Sequence, residues 1–358
     1  MILALLAIVL TLVMVVGIHE AGHAIAAKWF AVKIQRISIG FGKPLFTWRG
    51  KSGCEWVWAI WPLGGYVQLL NSRIQPVPKK EYNACFDKKP VWVRCVILLA
   101  GAGANLVTAW LMLTIMFTIG YQQTAPVIQK VVPQSLAAKA GFKAGDQITS
   151  IAAQETSSWQ EVGMRLIMVL GKAEVRINVL DSEKKSRSLT LDLQKWTYKR
   201  GAGTLLTTLG IEPDSLKQHR YQVKGQSILS SMWYSIEKIG QLLIFFLVIL
   251  KQLLTGMIPF AVLLGPIGLL AASANSFMQG FAVFLYFIAS LSLVVGLVNL
   301  FPVPGLDGGS IIYALVEKIR GKPVPVAWEL LLHRLVVIVF CVLLVQLILN
   351  DLQRYLTS

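Results

Sequence analysis

The sequence predicts a polytopic α-helical membrane protein with four transmembrane helices, a β-hairpin region that dips into the membrane, and one soluble α+β domain. Of its 358 residues, 55% are hydrophobic and 15% are charged, and the mean hydropathy is +0.62. Soluble domains carry about 25% charged residues, so this deficit indicates a membrane protein. Four apolar segments are interpreted as membrane spans. A long segment of mixed short strands and helices separates the second span from the third.

The net charge of +16 is unevenly distributed along the chain. Between residues 27 and 94 there are twelve basic side chains and three acidic ones. Such an excess next to membrane spans is typical of a cytoplasmic loop. No motif that reads RNA or DNA accompanies the charge, so nucleic acid is not an expected partner.

The first span covers about residues 2–26 and is expected to remain uncleaved. Its apolar run is not preceded by positive charges, as a signal peptide would be, but is followed by them. This order places the N-terminus outside the cytoplasm. Small residues after Ile18 suit a helix that packs closely against its neighbours.

Residues 36–68 predict a β-hairpin region between the first two spans. Segments such as Ile37–Phe41 and Trp56–Ile60 alternate in the manner of strands, and glycines with Pro62 mark the turns. Tryptophans in this stretch suit the headgroup level of a bilayer. Non-helical backbone at that depth must be buried in protein or line a wet cavity. A hairpin folded into a water-accessible site meets both conditions.

The remaining spans are expected near residues 95–120, 281–300 and 335–350. Strands around residues 126–128, 131–133 and 147–151, a helix over 135–140 stopped by Gly141, and a hairpin around residues 181–185 predict the soluble domain. The expected domains are an N-terminal membrane part (1–120), the soluble domain (121–215), a linker with surface or re-entrant helices (216–280), and a C-terminal membrane part (281–358). None of the four cysteines falls between residues 119 and 230, so disulfides are not expected in the fold.

Residues 231–255 are apolar enough to be mistaken for a further span. One crossing there would put the segment around Asp307 on the opposite side of the membrane from His19 and His23. Basic residues after Asp307 also favour the cytoplasmic side for it. We therefore expect residues 231–255 to form a helix that lies on, or dips into, the outer surface.

His19-Glu20-Ala21-Gly22-His23 predicts a metal site. Histidines four residues apart share one face of a helix and can bind one metal ion, and the glutamate between them can act on a water bound to it. In a soluble chain such a pair could also be idle, but unpaired ionisable groups in a membrane span are costly. A catalytic zinc usually has three protein ligands, and Asp307 is the best candidate for the third.

The segment from Asn299 to Gly309 supplies the other half of this site. Pro302 and Pro304 break a helix before Asp307, and the two glycines after it allow close backbone approach. Its alternative interpretation is a helix-terminating loop. With zinc on His19, His23 and Asp307, Glu20 would act as the general base and acid of a hydrolysis. Asn299 or Asn105 could donate a hydrogen bond to substrate or to a developing oxyanion.

These two motifs resemble the site-2 protease family of intramembrane zinc metalloproteases, closest to its regulator of sigma-E protease group. Gly40-Phe41-Gly42 is similar to the family's membrane-dipping hairpin, and residues 126–151 resemble a PDZ domain. The resemblance implies zinc as cofactor, Glu20 as catalytic residue, and a hairpin that adds an unwound substrate as a strand. The candidate substrate-binding residues are Asn299, Pro302, Pro304, Asn105, Gly40, Phe41 and Gly42. Unlike the enterobacterial relatives with two PDZ domains, this chain has room for one.

The resemblance implies a protease of the bacterial inner membrane with its PDZ-like domain on the periplasmic side. Expected partners are the lipid bilayer, a single-pass membrane protein substrate and an upstream site-1-type protease that trims it first. Substrates of this kind include a membrane-bound anti-sigma factor and signal-peptide remnants. The alternatives are a catalytically silent membrane scaffold that binds partners through its PDZ-like domain and, third, a metal-handling transporter. Glu20 argues against both, because neither binding nor transport needs a general base.

Overall fold

The computed structural model describes residues 2–50, 53–194, 196, 204–214 and 219–357. The chain divides into two compact units. One comprises Met1–Met116, Ile228–Ile239 and Leu264–Ser358, and contains the apolar helices and a long β-sheet. The other comprises Phe117–Ser227 and Gly240–Leu263, and contains a small α+β fold together with the second half of a long apolar helix.

The first apolar helix contains a π-helical turn. Helix α1 (Ile2–Leu12) continues through the π turn Val13–Gly17 into α2 (Ile18–Trp29). The whole is 28 residues long, which is sufficient to cross a bilayer. A π turn changes the direction in which the following side chains point and often occurs near functional sites. Here it directly precedes the histidines of α2.

The region expected to be a β-hairpin has a more elaborate pairing. Strands β1 (Ile34–Arg49) and β2 (Glu55–Leu69) are long, and their register contains several shifts. Ile37 is paired with both Val67 and Trp56, and its neighbours in the first part of β1 are likewise doubly paired. The first part of β1 therefore lies in the interior of a small sheet. The alternation of residue types predicts that these segments are strands. It does not predict that the first part of β1 pairs with two separate parts of β2.

Two short 3₁₀ turns, Lys79–Ala84 and Phe86–Lys88, lead to helix α3 (Val91–Ile119). The helix begins four residues before the predicted span. Arg94 lies within it, only 6% exposed, and donates to Glu317 at 2.9 Å. The acidic partner offsets the cost of burying a guanidinium there, so the charge does not mark the end of the helix.

Among the described residues of this second unit, the strands form three small sheets. Strands β3 (Tyr121–Thr124) and β4 (Ile128–Val131) precede helix α4 (Leu136–Ala140), and β5 (Gln147–Ile151) and β6 (Gln154–Glu155) precede helix α5 (Trp159–Met168). Then follow β7 (Val175–Leu180), β8 (Ser186–Leu191), helix α6 (Leu205–Leu209), β9 (Ile211–Pro213) and β10 (Arg220–Val223). The strand orders are β6-β5-β7-β8, β4-β9 and β3-β10.

Local chemistry determines several boundaries in this unit. Ser135 caps α4 by accepting from the backbone N–H of Ala138 at 3.1 Å, and Gly141, with φ +88°, ends it. Asp181 Oδ1 accepts from two backbone N–H groups in the β7–β8 turn. These agree with the sequence, whereas β4 lies between the two strands expected at residues 126–128 and 131–133.

Helix α7 (Ile228–Leu254) extends the core of the soluble unit beyond the expected domain boundary. Ile249 and Leu253 in its second half, and Ile258 after it, pack against the core around Leu166. Gln252 Nε2 donates to the backbone oxygen of Ile167 at 2.5 Å. The second half of α7 therefore packs on protein through Ile249 and Leu253, which the sequence of this segment alone does not reveal.

The first unit is completed by α8 (Pro266–Gln279), α9 (Phe281–Asn299), α10 (Asp307–Arg320) and α11 (Val326–Thr357). Thr11 Oγ1 of α1 lies 2.8 Å from Ser273 Oγ of α8. Asp351 of α11 accepts from the backbone N–H groups of Gly265 and Gly268 at the start of α8, at 2.9 and 2.8 Å. These polar contacts fix α8 between the first helix and the last.

In the described part of the chain, six helical segments are long and apolar enough to cross a membrane. They are Ile2–Trp29, Val91–Ile119, Ile228–Leu254, Phe260–Gln279, Phe281–Asn299 and Val326–Arg354. The four expected spans are among them. Length and composition do not distinguish a crossing helix from one that lies on the surface, so the count of four remains a prediction.

Candidate metal centre

The structure brings together the two histidines and the aspartate that the sequence nominates as metal ligands. Asp307 Oδ2 lies 3.3 Å from His19 Nε2 and 3.2 Å from His23 Nε2, and the two Nε2 atoms are 3.2 Å apart. One ligand atom from each residue lies within 4.8 Å of the other two. This is the only group of at least three possible ligands found among the described residues.

Both histidines project from the same face of α2 because they are four residues apart. A glycine on α3 leaves space for their rings. A Cβ added at Gly101 would lie 2.8 Å from His19 Cε1 and still closer to His23 Nε2. A Cβ added at Gly22 would come within 2.8 Å of Ala104 Cβ and overlap the Ala100 carbonyl oxygen. Small residues on both helices thus permit the close approach that encloses the rings.

Asp307 is the first residue of α10, and the two glycines after it allow its position. A Cβ at Gly308 would overlap the carbonyl oxygens of Leu300 and Phe301, and one at Gly309 would overlap that of Val303. The turn that contains Pro302 and Pro304 therefore folds tightly against the start of α10. Tight folding of this turn aims the carboxylate at the imidazoles of α2.

The electrostatics of the three side chains fit a cation. Asp307 Oδ2 is buried and has no hydrogen-bond partner among the described residues, although two ring nitrogens surround it. A buried carboxylate oxygen without a partner is costly. The donor set of two imidazoles and one carboxylate suits zinc.

Two further contacts orient the imidazole rings from behind. His23 Nδ1 donates to the backbone oxygen of Ile97 at 2.8 Å, which leaves its Nε2 lone pair facing Asp307. His19 Nδ1 lies 3.2 Å from the side-chain amide of Asn105. The partner of His23 is a backbone carbonyl, which has no signature in the sequence, so sequence analysis misses it.

Glu20 lies between the metal-binding group and the sheet. A Cβ added at Gly65 in β2 would lie 3.1 Å from Glu20 Cγ, so this side chain lies against the sheet. Glu20 follows His19 on α2, and His19, His23 and Asp307 are close enough to influence it electrostatically. The glutamate is thus close enough to the metal-binding group to exchange a proton with a group bound there.

The candidate substrate-binding residues have different environments. Asn105 is fully buried behind His19, while Asn299 is half-buried and donates through Nδ2 to the Val295 backbone oxygen at 3.0 Å. Gly40 and Gly42 lie in β1 with φ of +92° and +91°, a conformation that favours glycine. The Phe41 side chain lies outside what the structure describes. Their role in substrate binding stays a prediction.

The apolar helices and the His-His-Asp group beside a glutamate define a membrane-type metallohydrolase. Residues 7–344 match the family model described as peptidase family M50. The chain therefore belongs to this peptidase family, and the resemblance to site-2 proteases is confirmed.

Curated relatives match over nearly their whole length. The chain is 28% identical to a protein of Haemophilus influenzae named regulator of sigma E protease, with 97% of this chain and 98% of the relative covered. It is 26% identical to a putative zinc metalloprotease of Vibrio cholerae and 26% identical to protease RseP of Yersinia pestis, each with 98% of both chains covered. The alignment to the Haemophilus protein extends over 432 residues, more than the 358 residues of this chain, so that relative carries additional residues.

Proposed function

We propose that this protein is a zinc-dependent intramembrane endopeptidase. It would hydrolyse peptide bonds within or near the transmembrane segment of a single-pass membrane protein that an upstream site-1-type protease has already trimmed. The observation that carries the proposal is the convergence of His19, His23 and Asp307 next to Glu20. Membership of a peptidase family and relatives named zinc metalloproteases support it.

His19, His23 and Asp307 would hold the zinc ion. When bound there, zinc supplies a Lewis acid and lowers the pKa of water to about 7. Glu20 then takes a proton from the attacking water and releases it to the amine nitrogen that leaves. Packing of the Glu20 side chain against Gly65 of β2 limits its movement during both transfers.

The β1–β2 sheet beside Glu20 is the proposed substrate platform. A transmembrane helix conceals its peptide bonds in its own hydrogen bonds, so it must be unwound before hydrolysis. Addition of the unwound segment to a sheet replaces the lost backbone hydrogen bonds and holds the chain extended. Gly65 of β2 contacts Glu20, so a segment bound along this sheet would lie near the general base. The proposed substrate contacts are Gly40, Phe41 and Gly42 in β1, with Asn299, Pro302 and Pro304 in the segment before Asp307.

The substrates are proposed from the resemblance and the names of relatives. Proteins named regulator of sigma E protease suggest a membrane-bound anti-sigma factor as one substrate. Signal-peptide remnants have the same single-pass form. We place the protein in the bacterial inner membrane, with the PDZ-like domain in the periplasm and the basic loop before α3 in the cytoplasm.

Four crossings agree best with the packing. Helix α7 packs through Ile249 and Leu253 on the core of the domain that follows α3, so its C-terminal end remains on the side of that domain. Within the Phe260–Gln279 segment, the continuous helix is α8, which has 14 residues. At 1.5 Å per residue it is about 21 Å long. The hydrocarbon core of a bilayer is about 30 Å thick. With neither helix crossing, α9 returns Asp307 to the side of His19 and His23.

Reconstituted protein and metal analysis test the catalytic proposal. Wild type should hold about one zinc per chain and cleave a trimmed single-pass substrate in liposomes. Glu20→Gln should keep zinc and lose cleavage, whereas Asp307→Ala should lose both. Cleavage retained by Glu20→Gln would remove that residue from the mechanism. Partner binding without cleavage by zinc-loaded wild type would indicate a scaffold instead.

A cysteine-free background tests the topology. Leu254 is 75% exposed, so a Leu254→Cys variant should react with a membrane-impermeant thiol reagent only from the periplasmic side. Lys79→Cys, in the loop before α3, provides the matched control from the cytoplasmic side. Reaction of both positions from the same side would contradict the four-span arrangement.

A further inference from the structure

Asn105 has an environment that suggests a role other than substrate contact. Its side chain is 0% exposed, and its amide nitrogen lies 3.2 Å from His19 Nδ1. Its Oδ1 atom is buried and has no hydrogen-bond partner among the described residues. A fully buried amide behind a metal-ligating ring cannot reach a substrate without displacing that ring.

The orientation of the amide determines whether His19 can bind a metal. If Nδ2 donates to Nδ1, the proton of the neutral ring must lie on Nε2, and Nε2 has no lone pair for a metal. If the amide is turned by 180°, Oδ1 accepts from Nδ1–H and the Nε2 lone pair faces Asp307. Oxygen and nitrogen of an amide are assigned from the hydrogen-bond network, so the choice rests on chemistry. A metal-ligating His19 requires the turned orientation.

The turned orientation also changes the hydrogen bonding of Asn105. It gives the buried Oδ1 a donor, and it directs the NH₂ group away from His19. Gly296 of α9 faces Asn105, with a separation of 3.3 Å between an added Cβ and Asn105 Cβ. One turn earlier on the same face lies Ser292, whose buried hydroxyl has no hydrogen-bond partner among the described residues. This face of α9 thus carries a buried hydroxyl oxygen that no donor among the described residues occupies.

Residues of helix α3 contact the second ring nitrogen of both histidines. Ile97, Gly101 and Asn105 are each four residues apart and therefore lie along one face of α3. The backbone oxygen of Ile97 accepts from His23 Nδ1, and Gly101 leaves space for both rings. In the turned orientation the side-chain oxygen of Asn105 accepts from His19 Nδ1, as the Ile97 carbonyl oxygen accepts from His23 Nδ1. Metal-ligating histidines usually have such a partner on the second ring nitrogen.

We propose that Asn105 is a positioning residue whose side-chain carbonyl oxygen accepts a hydrogen bond from His19 Nδ1–H and so presents His19 Nε2 to the metal. This inference rests on the proposed zinc site and deepens it. Partners of this kind change metal affinity by about 10–100-fold when they are removed. The effect is therefore expected on zinc binding itself, in addition to any effect on cleavage.

The test is a zinc dissociation constant, measured on the purified full chain in detergent by competition with a chelating indicator. Asn105→Ala should weaken zinc binding about 10–100-fold. Asn105→Asp should remain within a few-fold of wild type, because a carboxylate oxygen can accept from Nδ1–H but cannot donate. Thr108→Val, one turn further along α3 and bonded to the Ala104 carbonyl oxygen, is the matched control and should bind zinc as wild type does.

Thermal unfolding with excess chelator shows whether each metal-free variant is folded, and Asn105→Leu replaces the alanine variant if that one is not. Zinc binding at wild-type strength in a folded Asn105→Ala or Asn105→Leu variant would overturn the proposal. Equal weakening in the aspartate and alanine variants would show that the amide donates to His19. Failure of the zinc site as a whole is distinguishable, since wild type would then bind zinc no better than Asp307→Ala.

Discussion

Substitution of Gly101 by alanine is the sharpest test of the metal centre. The new methyl group would lie 2.8 Å from His19 Cε1, 2.6 Å from His23 Cε1 and closer still to His23 Nε2. Since ordinary van der Waals contact begins at 3.4 Å, the His19 ring would have to retreat by 3.4 − 2.8, or about 0.6 Å. Ligand distances in a metal site tolerate about 0.2 Å. The substitution therefore exceeds what the site can absorb.

The rings have little freedom to retreat. His23 is held by the Ile97 carbonyl oxygen at 2.8 Å, and His19 lies against Asn105 at 3.2 Å. Either ring can move only by breaking its hydrogen bond or by pushing α3 away from α2. We expect Gly101→Ala to weaken zinc binding at least about 10-fold and to lower cleavage about 100-fold, the scale of a 1 Å misplacement. Overpacking should cost about 1–3 kcal/mol of stability.

Gly103→Ala is the matched control for this prediction. No atom lies within 4 Å of a Cβ added at Gly103, which is two residues further along the same helix. This variant should bind zinc and cleave substrate as wild type does. Measurements are the zinc dissociation constant, cleavage in liposomes and thermal unfolding of both variants in detergent. Wild-type zinc affinity in Gly101→Ala would show that the two rings do not occupy the space beside α3, and the centre described above would be wrong.

Three further outcomes follow from other contacts. Gly308→Ala should abolish zinc binding, because its Cβ would overlap two backbone carbonyl oxygens and displace Asp307. Zinc analysis of the purified variant measures this, and retained zinc would show that the turn does not position Asp307. Asp351→Ala should lower the free energy of unfolding by about 2–3 kcal/mol, since it leaves the Gly265 and Gly268 N–H groups without their charged acceptor. An unchanged midpoint of thermal unfolding would refute this prediction. Chelation of zinc should lower the unfolding temperature of wild type but not that of Asp307→Ala, which a thermal scan with and without chelator measures.

Much of the candidate site could be predicted because its signals are local. The spacing of His19 and His23 places them on one helix face whatever the rest of the fold does. The prolines and glycines around Asp307 indicate a tight turn at a helix boundary. The contact between these two segments joins parts of the chain that are far apart in sequence. The sequence suggests this contact only through the need for a third ligand. The structure brings all three residues within 4.8 Å.

Other features depend on contacts that no local pattern encodes. The sequence makes Asn105 a candidate donor to substrate, because a buried amide and a substrate-binding amide look the same in a sequence. The structure places it behind His19. The double pairing of Ile37 and the packing of Leu253 on the soluble core likewise join segments far apart in the chain. Alternation and amphipathicity indicate that the apolar face of a strand or helix must be covered, but they do not indicate which segment covers it.

The arrangement around α3 suggests why a metal centre can be built between membrane helices. Helices in a bilayer gain little from hydrophobic burial, so close packing at small residues and interhelical hydrogen bonds hold them together. Here Gly22 and Gly101 let α2 and α3 approach, and the hydrogen bond from His23 to Ile97 joins them. The contacts that associate the two helices are thus the same ones that fix the ligand rings. Loss of helix packing and loss of metal affinity should therefore be coupled in α3 variants that face α2, and separate in those that face lipid.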